Sequence, residues 1–184
     1  FNTDGFLGDV PLVNFTYAPF FEVLPRKYRF RLSNACMSRF LKLVIADQRG
    51  QPVPFVQIAN DGNLFPYPLN LNALDYQATG EGYDIIVDFS KFTIGSTLRL
   101  VNVLLHDTGR GPTGPVTLAT ALAEATTDPM VGSVMEFRIV SQVASVDSKN
   151  VVHRAGSVDP SRIPGVLTEQ IPIVAPVRER VVEF

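Results

Sequence analysis

The sequence predicts an all-β fold, a Greek-key sandwich or barrel. Short runs rich in β-branched and aromatic residues recur along the chain, several of them alternating apolar with polar side chains. Clusters of Gly, Pro, Asn and Asp separate these runs, and helix-forming stretches are nearly absent. At 184 residues the chain has the length of one such domain, and it shows no internal repeat.

The elements follow in order. Residues 9–14 are a short apolar run bounded by Gly8-Asp9 and Asn14, and Phe20-Phe21-Glu22-Val23 is another, closed by Pro25. Tyr28-Arg29-Phe30-Arg31-Leu32-Ser33 alternates strictly, which places Tyr28, Phe30 and Leu32 on one face and leaves a basic, wet face opposite. Residues 40–45 continue the pattern, with Lys42 interrupting an apolar run, and residues 48–52 form a turn by their Gly and Pro. A strand over 53–58 ends at Asn60-Asp61-Gly62-Asn63, where Asp-Gly reaches positive φ angles with little strain. Strands over 83–89, 97–103 and 134–140 follow, giving eight or nine in all. Residues 106–131 form a long connection with one short helix expected over 118–125, where Ala and Leu dominate. The polar stretch after residue 141 lacks periodicity and reads as a linker. Arg178-Glu179-Arg180-Val181-Val182-Glu183-Phe184 turns strand-like again, as the opening strand of a further domain would. With no initiator Met at Phe1, the chain is expected to be a piece of something longer.

Composition narrows the function classes. The formal charge of −2 gives no electrostatic footprint for nucleic acid, and no apolar run approaches the ~18 residues of a membrane span. Only 18% of residues are charged, below the usual quarter, which suggests a surface covered in part by a partner or a neighbouring domain. The single Cys36 rules out an intrachain disulfide.

Metal and nucleophile chemistry find little material. A mononuclear blue-copper centre takes two His, one Cys and a weak axial ligand such as Met. The chain holds Cys36, His106, His153 and three Met, but the nearest His to Cys36 is 70 residues away. No His-x-His pair and no Cys-x-x-Cys occurs, so multinuclear copper and structural zinc lack their ligand patterns too. Cys36 reads as a buried, inert thiol among apolar neighbours, and both His residues read as solvated loop residues. His106-Asp107 opens the long connection, and this pair is the one candidate contact for a ligand or partner. Asp84 and Asp88 share a strand face too far apart to share a proton, and a polar face accounts for them. Thr108-Gly109-Arg110-Gly111 lacks the Gly-Lys-Ser/Thr of a phosphate loop, and Asn60-Asp61-Gly62-Asn63 lacks the later Glu of an EF-hand. No catalytic, cofactor or metal residue is assigned.

Five ordered blocks carry a resemblance. They are Gly8 through Asn14, Pro25 through Ala35 with Ser38-Arg39, Ile58 through Leu64, Glu81 through Phe89, and Met135-Glu136-Phe137-Arg138-Ile139. Together they resemble the middle, cupredoxin-like domain of three-domain multicopper oxidases, in the spore-coat laccase and bilirubin-oxidase-like branch. The resemblance implies a cupredoxin-like domain over 1–141, a linker over 142–177 and the first strand of a third domain over 178–184. It also implies that copper belongs to the first and third domains. This domain would then be a copper-free spacer that helps wall the substrate side and is inactive alone, with neighbouring cupredoxin domains as its partners. The alternative is a stand-alone β-sandwich scaffold or binding module that self-associates or binds a partner. Three positions depart from the family pattern: Phe15 stands where Gly is usual, Ser33 where an apolar residue is usual, and Gly82 where Arg is usual. Adaptation to life without neighbouring domains, or simple divergence, would account for them.

Overall fold

A computed structural model of the chain describes residues 4–141, 145–146, 152–153, 159 and 161–168. Two four-stranded sheets face each other. The first has the order β3 (Phe20–Val23), β12 (Gly132–Ile139), β9 (Thr97–Asn102), β5 (Leu43–Ala46). The second has the order β4 (Lys27–Ser33), β8 (Gly82–Asp88), β6 (Phe55–Asn60), β7 (Asn63–Leu71). Pairing within the sheets is antiparallel except for β3, which runs parallel to β12. The chain passes from β3 in the first sheet to β4 in the second and back to β5. From β5 it crosses again to the second sheet for β6, β7 and β8 before returning to the first at β9. Of the two all-β architectures that the strand pattern allowed, a sandwich or a barrel, the chain forms the sandwich.

Period-two alternation decides what the core contains. Inward residues of both sheets, among them Val23, Ile45, Ile85, Val87, Leu98, Phe137 and Ile139, pack with Phe89 into one dry cluster. Tyr28, Phe30 and Leu32 of β4 lean on it, and Arg29 and Arg31 face outward, as the alternation requires. On the first sheet the outer face is covered as well. Val44, Ala46, Val101 and Val103 pack there against Ala121 of the short α-helix α1 (Leu118–Leu122), so both faces of β5 are buried. The Thr117 side chain caps that helix by accepting from Thr120 N–H at 3.1 Å. The helix is three residues shorter than expected.

Short hairpins join the rest. Asn14 and Phe15 (φ 50° and 64°) turn β1 (Leu12–Val13) into β2 (Thr16–Tyr17). Asp61 and Gly62 (φ 48° and 79°) turn β6 into β7, as Asp-Gly predicted. Two-residue strands β10 (Leu104–Leu105) and β11 (Gly114–Pro115) close the base of the long loop.

The nine-residue β7 escapes a sequence reading because it contains Pro66 and Pro68. It is an edge strand, and there the missing N–H groups break no ladder. The strand expected over 40–45 begins only at Leu43, with Leu41 bridged instead to Gln77.

The region expected to be a linker, 142–177, is anchored to the domain at several described points. Strand β13 (Ser145–Val146) pairs with β14 (Val152–His153), which puts His153 on a strand. Buried Asp159 accepts from Lys27 N–H through Oδ2 and from Ser161 N–H through Oδ1. Leu167 N–H donates to Pro66 at the far edge of the same sheet at 2.8 Å. The strand expected over 178–184 lies outside the described residues. Among the described residues no helix is long and apolar enough to cross a membrane.

Candidate functional site

The densest polar constellation lies where the Leu7–Gly8 segment, the loop after β4 and the long connection converge. Arg39, His106 and Asp128 are all buried there, with Arg39 only 3% and His106 only 4% exposed. Arg39 fans its guanidinium over three acceptors: Nη1 to Asp128 Oδ2 at 2.8 Å, Nε to the Leu7 carbonyl at 2.7 Å, and Nη2 to the Gly8 carbonyl at 3.1 Å. The other bonds of Asp128 come from His106 N–H to Oδ2 at 2.9 Å and from Met130 N–H to Oδ1 at 3.0 Å. These donors, with the Arg39 charge, outweigh burial and hold the Asp128 carboxyl below its usual range.

The network extends through amides. Asn34 Nδ2 donates to the Arg39 carbonyl at 2.7 Å and to the Gln77 carbonyl at 2.9 Å, and Asn34 Oδ1 accepts from Cys36 N–H at 3.0 Å. Gln77 Nε2 in turn reaches the Leu32 and Glu81 carbonyls. Buried loops need such partners, because an unsatisfied backbone group costs about 1–3 kcal/mol.

The two singled-out neighbours part company. His106 is buried, which corrects the reading of it as a solvated loop residue. Its ring stacks on Phe40, and Nε2 accepts from Phe40 N–H at 3.3 Å. Nδ1 is buried without a hydrogen-bond partner. Burial chiefly, and then the Arg39 charge, push the His106 pKa down, so the ring is neutral. Asp107 points outward and closes its own loop, with Thr113 Oγ1 donating to Oδ2 at 2.8 Å.

Cys36 lies in the loop after β4, half-buried rather than fully enclosed, and burial pushes its thiol pKa up, away from reactivity. Asp84 pairs with Arg29 and with Arg31 (3.7 Å) on the outer face of the second sheet, and Asp88 caps the short turn at Phe89–Lys91. These acids do structural work.

The described donors do not fit a copper ion. No group of three or more His, Cys, Asp or Glu side chains is placed to hold a metal among the described residues. The one buried imidazole offers Nε2 to a backbone N–H and lies in the field of a guanidinium, which repels a cation. Sequence reasoning missed the Arg39–Asp128 pair, since 89 positions separate the partners and no motif links them. The only local signal was the Asp128-Pro129 turn.

No family model matches the chain. It is 42% identical over 97 residues to a laccase of Bacillus subtilis and 39% identical over 102 residues to a bilirubin oxidase of Albifimbria verrucaria. These segments cover 53% and 54% of this chain but only 18% of each relative. The chain thus spans under a fifth of the length of the curated relatives it matches. A cell division protein, FtsP, of Edwardsiella tarda is 40% identical over 90 residues, 49% of this chain and 18% of that protein. Among solved structures, the McoA multicopper oxidase of Aquifex aeolicus superposes with a TM-score of 0.64 at 28% identity, covering 92% of this chain and 30% of that one. The chain is similar, in sequence over about half its length and in fold over nearly all of it, to a cupredoxin-like domain of multicopper oxidases. In this cupredoxin-like domain the buried clamp of Arg39, Asp128 and Asn34 fixes the loops at one end of the sandwich.

Proposed function

We propose that this chain is the copper-free middle domain of a laccase-like multicopper oxidase. It holds flanking cupredoxin-like domains in register, helps wall the substrate side and has no turnover of its own. The observation that supports this best is the poverty of donors. The whole sequence has two His and one Cys, and the one His with a described side chain is locked between Phe40 N–H and the field of Arg39. In this reading residues 1–141 form the domain, 142–177 lead away from it, and 178–184 begin the next.

Copper titration of the purified chain, followed by visible absorption and metal analysis, tests the reading. The expected result is no stoichiometric copper, no blue band near about 600 nm from Cu–thiolate charge transfer, and no oxidase turnover. Stoichiometric copper with turnover by the isolated chain would refute it.

A second reading, a scaffold or binding module, draws on a specific observation. A relative named for cell division matches this chain at 40% identity, close to the oxidases, so the same fold segment occurs in proteins not named for oxidation. Sedimentation separates the two: a chain that self-associates tightly favours the scaffold.

A further inference from the structure

Strand β6 carries polar side chains where a sandwich interior calls for apolar ones. Gln57 stands opposite Leu69 on β7 and Ile85 on β8, and Ile85 belongs to the dry core, so Gln57 faces inward too. It is only 6% exposed. Period two would then send Asn60 outward, but the pairing of β6 with β8 slips by one residue between Gln57 and Ala59. Asn60 therefore stands opposite Tyr83, another core residue, and turns inward as well. A bulge that re-aims a side chain in this way is a built feature, over-represented beside functional sites.

Both amides line a cavity of about 470 Å³ at the β7 flank of the sandwich. Strand β5 on the facing sheet has four residues against nine in β7, so the inner face of β7 is only partly roofed. Leu69 shares the inward face of Gln57 and is nonetheless 45% exposed. Phe65 and Leu71 join it in an apolar wall. Leu74, whose N–H donates to the Leu43 carbonyl at 2.9 Å, closes the side toward β5. The volume falls within the roughly 300–1,000 Å³ of small-molecule sites, which pair apolar walls with a few placed polar groups.

Those polar groups select the ligand. Asn60 Oδ1 is buried and has no hydrogen-bond partner among the described residues, so it calls for a donor. The Lys42 ammonium is already engaged, donating to the Leu74 carbonyl at 3.0 Å and lying 5.0 Å from the centre of the Tyr76 ring. Tyr83, opposite Asn60, gives its hydroxyl to the Tyr76 carbonyl at 2.8 Å and offers the cavity its ring. Burial, and then the charges of Glu81 and Asp75, push the Tyr83 phenol up to about 12. An anion is repelled from that end of the cavity, and a donor is favoured there.

We propose that this cavity binds a small neutral aromatic molecule with one N–H or O–H donor, its ring against Phe65 and Leu69 and its donor on Asn60 Oδ1. The site lies within this chain and needs neither copper nor another domain, so it stands or falls apart from the spacer reading.

Nuclear magnetic resonance titration of the isotopically labelled chain with indole tests the proposal. Indene, of similar shape without the N–H, and benzoate, an anion, are the comparisons. Expected are saturable shifts of the Asn60 and Gln57 side-chain amides and of the backbone over residues 65–75. Indole is expected to bind about fivefold or more tighter than indene, and benzoate not at all. Asn60→Leu removes the acceptor and is expected to bring indole and indene within about twofold of each other. Should that variant fail to fold, the indole-to-indene ratio on the unaltered chain decides alone. No saturable shift at millimolar indole, shifts centred outside the cavity, or equal binding of indole and indene overturns the proposal. A folded Asn60→Leu chain that keeps the full preference for indole overturns it too, as does benzoate binding more tightly than indole.

Discussion

Replacing Asp128 by Asn tests the physical account of the clamp. The carboxylate neutralises a guanidinium that has almost no access to water, and it accepts from Arg39, His106 N–H and Met130 N–H. An amide has one acceptor oxygen where the carboxylate has two, so its NH2 must face at least one of these donors. The Arg39 charge is then left buried without a counter-charge. Breaking a buried pair from one side costs about 3–5 kcal/mol, a large share of the roughly 5–15 kcal/mol of a typical domain. For a chain of this size that lowers the melting temperature by about 6–20 °C. Urea unfolding followed by tryptophan-free probes, far-UV dichroism or tyrosine emission, gives the difference by linear extrapolation. The paired change Arg39→Met with Asp128→Leu removes both charges and is expected to cost clearly less than the sum of the single changes. A loss below about 1 kcal/mol for Asp128→Asn, or strict additivity in the cycle, would refute the reasoning, because a solvated pair behaves that way.

Three further outcomes are expected. Phe15→Gly stabilises the domain by about 0.5–1 kcal/mol, raising the melting temperature a few degrees. A left-handed φ of 64° costs an ordinary residue about 1–2 kcal/mol, glycine's extra unfolded freedom offsets part of that, and a side chain 97% exposed loses no burial. A more stable Phe15→Gly chain also removes adaptation to isolated life as the reason for Phe15, and a lower melt would reinstate it. Acid weakens the fold in two stages. His106, with its folded pKa below 6.5, contributes stability that begins to fall as pH drops below 6.5, whereas Asp128 and Asp159, with folded pKa values below 3.8, lose theirs only below 3.8. In urea titrations across pH, His106→Gln, which does not titrate, flattens the upper stage and leaves the lower one; an unchanged upper stage would exclude His106 as its source. Asp159→Ala frees Lys27 N–H and loosens the segment through Ser161, so limited proteolysis near residues 161–168 is expected to quicken several-fold with the core strands still protected. Unchanged cleavage would show that this anchor is not what holds the segment.

Local pattern alone determined that the chain is all-β, which strand faces are apolar, and where Asp61-Gly62 turns. Those features depend on periodicity and on φ preferences that act within a few residues. The near-absence of metal donors was equally legible, because it is a matter of count and spacing. Tertiary structure alone decided that Pro66 and Pro68 belong to a strand, since only an edge position makes their missing N–H groups harmless. It alone decided that His106 is buried and that Arg39 meets Asp128, partners 89 positions apart brought together by loops at one end of two sheets. It also decided that β3 is an edge with no second strand beside it among the described residues. Strand order is set by packing across the sandwich, and no residue on β3 records whether another strand lies beside it.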